Sequence, residues 1–131
     1  MEIELSQRVG RVPVTVMRVK GNVDTLSYET FQKFGETIFL AGAEYILLDL
    51  EEVPFISSAG FQAIGQVFKM LHEQPNHSAP APLGRLNDGT YKSPHLKLLK
   101  PNARVVEALH LAGFDTFLEV FHDLDAAIAS Y

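Results

Sequence analysis

Tyr45-Ile46-Leu47-Leu48-Asp49-Leu50-Glu51-Glu52-Val53-Pro54-Phe55-Ile56-Ser57-Ser58-Ala59-Gly60-Phe61 is the stretch on which the fold turns. It starts as a short unbroken apolar run, Tyr45 to Leu50, with charged residues on either side. Such runs belong to central strands covered on both faces. After a short link come two serines, and then Phe61, Ile64, Phe68 and Leu71 recur at helical spacing. That spacing puts them in one stripe of a helix, expected from about Ala59 to His72. A strand buried on both faces followed by an amphipathic helix is a unit of a mostly parallel sheet.

Toward the N-terminus the pattern changes from continuous to alternating. Val12, Val14 and Val16 alternate with Pro13, Thr15 and Met17, the signature of a strand running to Val19. Ile3 to Val9 reads as a weaker strand, and Gly10-Arg11 as the turn that makes the two a hairpin. Pro13 cannot donate to a ladder, so it belongs at a strand end or sheet edge. Gly21-Asn22-Val23-Asp24 then breaks the pattern. A helix is expected over about Tyr28 to Ala41, with Ser27 as N-cap and Leu26 stapled onto Phe31. Phe31, Phe34 and Ile38 face inward, and Gly42 stops the helix.

Toward the C-terminus, Gln74 to Ser93 holds Pro75, Pro80, Pro82, Gly84 and Gly89, with Pro94 just beyond. No period survives there, so the segment at about 74–94 reads as one long inserted loop. His95 to Leu99 is a strand. Asn102 caps a helix over about Ala103 to Ala112, with Val106 and Leu109 inward and Gly113 as its stop. Phe117 to Phe121 is a last strand, and Asp123 caps a final helix carrying Leu124, Ala127 and Ile128. The expected class is α/β: one domain over residues 1–131, a mixed, mostly parallel sheet with helices packed on it.

Composition narrows the function. The 131 residues are 47% hydrophobic and 21% charged, ordinary for a globular chain. Eleven Lys and Arg against 16 Asp and Glu leave a net charge of −5, which argues against nucleic acid as a partner. With no cysteine, disulfides, thiol nucleophiles and thiolate metal sites are excluded. The acidic start Met1-Glu2-Ile3-Glu4 is unlike a signal peptide, and no apolar run approaches the ~20 residues of a membrane span. A cytoplasmic protein without direct membrane insertion is expected. His72, His77, His95, His110 and His122 show no ligand spacing and read as solvated, so no metal or other cofactor is expected. Lys97, Lys100 and Arg104 are too dispersed for a nucleic-acid surface.

In open α/β sheets, function gathers where strands end and helices begin. Two junctions qualify here: Gly21-Asn22-Val23-Asp24 and Ser57-Ser58. Ser57 or Ser58 is a plain N-cap on one reading and a modified or binding hydroxyl on the other. A phosphate there would meet free N–H groups and the positive end of the helix dipole. Asp24 is either a turn residue or a carboxylate facing the same end of the sheet. Ser57-Ser58-Ala59-Gly60 lacks the leading glycine of a nucleophile elbow, and no phosphate-cradling loop is present. An enzyme is therefore the least supported class.

Together these pieces resemble the STAS domain family, shared by sulphate transporter tails and anti-sigma-factor antagonists. Gly21-Asn22-Val23-Asp24 resembles the family's Gly-x-x-Asp loop after the second strand. Leu47 to Ile56 resembles its central strand and the approach to the second helix, and Ser57-Ser58-Ala59-Gly60-Phe61 the segment that opens that helix. Val105 to Phe121, with Ala112-Gly113-Phe114, resembles its closing portion.

The resemblance implies an antagonist that binds an anti-sigma factor which is also a serine kinase. Phosphorylation would break that complex, and a phosphatase would reset it. It assigns Ser58 as phosphoacceptor, with Ser57 as the alternative. Asn22, Asp24, Ser57, Ser58, Gly60 and Phe61 would form the partner-facing patch. Ser57 stands where many antagonists carry Asp. Family members also serve in transport, lipid-transport and signalling assemblies, and a small-ligand or nucleotide sensor is a further alternative. Oligomeric state is open, although the first hairpin offers a sheet edge.

Overall fold

The structure, a computed structural model, describes residues 1–72 and 92–131. Five strands form one sheet in the order β1-β2-β3-β4-β5. β1 (Glu2–Val9) and β2 (Pro13–Lys20) are the expected hairpin, antiparallel from Glu2 opposite Lys20 to Val9 opposite Pro13. Pro13 opens its strand, where the missing N–H costs least. β3 (Ile46–Glu52), β4 (Leu96–Leu99) and β5 (Val120–Phe121) follow in parallel. Among the described residues the helices are α1 (Tyr28–Leu40), α2 (Ser58–His72), α3 (Ala103–Leu111) and α4 (Leu124–Ala129).

β3 is buried on both faces, as its unbroken apolar run requires. Ile46, Leu48 and Leu50 join Met17, Val19, Leu96 and Leu98 in the larger core beneath α1, α2 and α3. Leu47 turns the other way, to Val14, Val16 and Leu99 under Ala127 and Ile128 of α4. Gly35 lets α1 approach α2, because a Cβ there would stand 2.5 Å from a methyl of Val67. Buried Lys97 anchors α4: its Nζ donates to the Ser130 carbonyl and hydroxyl, both at 3.0 Å, and lies 3.5 Å from Glu119. The Tyr131 hydroxyl donates to the Ile46 carbonyl at 2.5 Å.

Several local expectations are corrected. Leu26 is 95% exposed and staples nothing. Ser27 gives α1 no side-chain cap; its hydroxyl turns back into the preceding loop. In α3 the inward valine is Val105, while Val106 is exposed, because Asn102 sets the helix phase by accepting from Val105 N–H. The expected strand from Phe117 is cut to Val120–Phe121, since a 3-10 turn over Phe114–Thr116 takes up the chain before it. Most of the expected 74–94 loop, with His77, lies outside the described residues.

Its borders are ordered by a pairing that histidine spacing does not reveal. His72 and His95 are buried rather than solvated. Ser93 Oγ accepts from the N–H groups of His95 and Leu96, at 3.2 and 3.1 Å. Both its lone pairs are then used, so its proton points to His72 Nε2, 2.8 Å away.

Candidate functional site

The two junctions singled out in the sequence lie side by side. Val23 and Ile56 form a parallel bridge beyond the ends of β2 and β3. Val23 N–H donates to the Phe55 carbonyl at 3.0 Å, and Ser57 N–H to the Val23 carbonyl at 2.9 Å. This ladder carries the Asn22–Ser27 loop and the first turn of α2 to the same end of the sheet.

Gly60 makes the approach close. A Cβ there would meet the Val23 carbonyl oxygen at 2.3 Å and an Ile56 methyl at 2.8 Å. From the other side, the Asn102 amide donates to the carbonyls of Val53 and Pro54, at 3.1 and 3.4 Å. Arg104 lies over the Phe55 ring, 5.0 Å from its centroid. The link leading to Ser57 is therefore held from both flanks.

The two serines have different roles. Ser57 is half-buried, and its Oγ accepts from Gly60 N–H at 3.3 Å, so it caps α2. Ser58 is the first residue of α2 and is exposed. The sequence left the cap undecided between them; the geometry gives it to Ser57.

Asp24 is a turn residue in this arrangement. Its Oδ1 accepts from Leu26 N–H at 3.0 Å and lies 3.2 Å from the Ser27 hydroxyl. Ser27 Oγ accepts from Asp24 N–H at 3.0 Å and donates to the Asn22 carbonyl at 2.6 Å. This ring of bonds fixes the loop, and Leu26 projects from it. Phe61 is largely buried, edge-on to Phe114 at 5.3 Å. Gly60 and Phe61 thus shape the site from below, whereas Asn22 and Ser58 stand at its surface.

A groove of about 560 Å³ opens beside Ser58. Tyr28 and Gln32 of α1, Phe61 and Gln66 of α2, and Phe114 line it. The Tyr28 hydroxyl donates to Glu29 at 3.2 Å, and this bond to a carboxylate raises the phenol above its ordinary pKa. Tyr28, Gln32 and Phe114 carry no motif in the sequence, because they come from two elements far apart in the chain. Among the described residues, no group of three or more His, Asp or Glu is placed to hold a metal ion. Nor is any described helix long and apolar enough to cross a membrane.

The open, mostly parallel sheet with a serine-started helix at the ends of β2 and β3 defines a small α/β domain. The STAS domain family model matches residues 3–75, and the chain belongs to that family. Among solved structures, an anti-sigma factor antagonist from Mycobacterium paratuberculosis is similar, with a TM-score of 0.69 and 15% identity over 98% of this chain and 93% of that one. The Bacillus cell fate determinant SpoIIAA in its phosphorylated form gives a TM-score of 0.59 at 18% identity, covering 97% and 96%. The anti-sigma factor antagonist SpoIIAA in its unphosphorylated form gives 0.58 at 16%, covering 96% and 93%. No curated protein sequence matches.

Proposed function

We propose that this chain is a cytoplasmic, non-enzymatic anti-sigma-factor antagonist, which binds an anti-sigma factor kinase through the Ser58 end of the sheet and is switched by phosphorylation of Ser58. The observation that carries this reading is the division of labour between the serines. Ser57 caps the helix, and Ser58 stands exposed beside it. A phosphate on Ser58 brings about −1.5 to −2 charges at neutral pH. At the first turn of the fifteen-residue α2 it meets unpaired N–H groups and the positive end of the dipole. The fold tolerates the modification, while a partner packed over an uncharged hydroxyl meets a charge with nothing to neutralise it. A phosphatase resets the switch.

Two measurements test this. Titration calorimetry with the host's anti-sigma factor kinase should show binding by the parent and at least tenfold weaker binding by Ser58→Asp, with unchanged far-UV circular dichroism. Equal affinity of the two would sink the switch. Mass spectrometry after incubation with that kinase and ATP should find phosphate on the parent and on Ser57→Ala, and none on Ser58→Ala. Phosphate on Ser58→Ala would move the acceptor elsewhere.

The groove beside Ser58 supports a second reading, a sensor for a small ligand or nucleotide, because its Tyr28, Gln32 and Phe114 offer both a stacking surface and amide hydrogen bonds. A thermal-shift screen with nucleotides tests it: a saturable rise in melting temperature that is lost in Gln32→Ala favours the sensor.

A further inference from the structure

We propose that β1 is a docking edge for a second copy of this chain, paired antiparallel about Ser6 so that two sheets become one continuous sheet. Among the described residues, β1 stands at the end of the sheet and is paired only to β2. It runs eight residues, Glu2–Val9, with no proline or glycine and an unshifted register to its neighbour. All of its residues but Ile3 are exposed, including Leu5 at 45% and Val9 at 80%. Strand edges are ordinarily protected by shortness, proline, bulges or charge. Only charge is present here.

That charge does not repel a second copy. In an antiparallel pair centred on Ser6, Glu4 of each chain stands opposite Arg8 of the other. The pairing occurs twice by symmetry, on the face that carries α4. Glu4 already holds Lys20 at 2.5 Å and Arg8 holds Asp125 at 3.4 Å, so the new pairs extend existing ones into a network. On the opposite face the same register sets Ile3 opposite Val9 and Leu5 opposite Gln7. Opposite-charge and apolar cross-strand pairs are the units that stabilise a sheet. A cleft of about 580 Å³ opens beside this part of β1, between Leu5 and Gln7 on the strand and Ile38, Ala41 and Tyr45 next to it. The apolar side chains of the incoming strand fall on the side of the sheet where Ile38 packs. β1 contributes no residue to the groove beside Ser58, so this pairing is independent of the proposed switch.

The register makes a charge-swap test decisive. Sedimentation velocity of the purified full chain over a concentration series should show a monomer–dimer equilibrium that does not grow further. Glu4→Arg and Arg8→Glu each turn two attractive pairs into repulsive ones, so each alone should weaken the dimer by about tenfold or more. Mixed in equal amounts, the two variants should associate again, because each like-charged strand then meets its opposite. Circular dichroism on each variant confirms that the fold is kept. A parent that stays monomeric at every concentration overturns the proposal. So do variants that dimerise as the parent does, or a mixture that stays monomeric.

Discussion

Two neighbouring serines with the same side chain are separated in role by one hydrogen bond. Ser57 accepts from Gly60 N–H, and Ser58 points to solvent. Ser57→Ala should therefore destabilise the chain by about 1 kcal/mol, the usual worth of an N-cap. Ser58→Ala should stay within about 0.5 kcal/mol of the parent, as exposed substitutions do. Urea unfolding of the two variants measures both, and a larger loss for Ser58→Ala would exchange the roles. The sequence showed that a serine caps this helix, because residue type and the helical period that follows are local signals. It could not say which serine, because that depends on where the first turn closes, and the Val23 ladder decides that from the loop after β2. The same limit explains Leu26. Its spacing to Phe31 fits a staple, but the bonds among Asn22, Asp24 and Ser27 aim it outward.

The loop after β2 and the start of α2 behave as one unit because nothing larger than glycine fits between them. Gly60→Ala would place a methyl group 2.3 Å from the Val23 carbonyl, an atom held in the backbone ladder. The strain should cost roughly 1–3 kcal/mol and push the Asn22–Ser27 loop away from α2. Chemical denaturation measures the loss, and amide shifts of Val23 to Ser27 in a ¹H–¹⁵N spectrum report the displacement. A spectrum changed only within α2 would show that the two parts are uncoupled. The elements themselves were legible: the β3 run, the α1 and α2 stripes and the two C-terminal caps all stand near where their patterns put them. The end of the chain was less so. Phe117 and Leu118 look like strand residues, yet Phe117 packs on Phe68 at 4.8 Å and Leu118 is core, so both are spent on contacts with other elements before β5 begins.

Across the whole molecule, the smaller face of the sheet depends on one short helix, and Tyr131 ties that helix to β3. Burial pushes its phenol far above the ordinary range, with the nearby Glu119 charge adding to the shift. An unfolded tyrosine ionises near pH ~10. Below that pH both states keep the proton and the contribution is complete. Above it the unfolded state loses a proton that the folded state retains, so stability falls as pH rises, by at most about 1.4 kcal/mol per pH unit. Tyr131→Phe should cost about 0.5–1.5 kcal/mol at neutral pH by removing its hydrogen bond to the Ile46 carbonyl. It should also lose stability less steeply between pH 10 and 11; denaturant melts at both values test this, and parallel slopes would remove Tyr131 from the account. The bond between His72 and Ser93 has a different kind of consequence. It fixes two anchor points on the scaffold, 21 positions apart in the chain. The closure entropy of a chain between fixed ends grows with the logarithm of its length, so doubling it costs only about 0.6 kcal/mol. With its ends held in this way, the scaffold should feel a change in the length of sequence between the anchors only weakly, and the sheet and the serine at its end should stay in place.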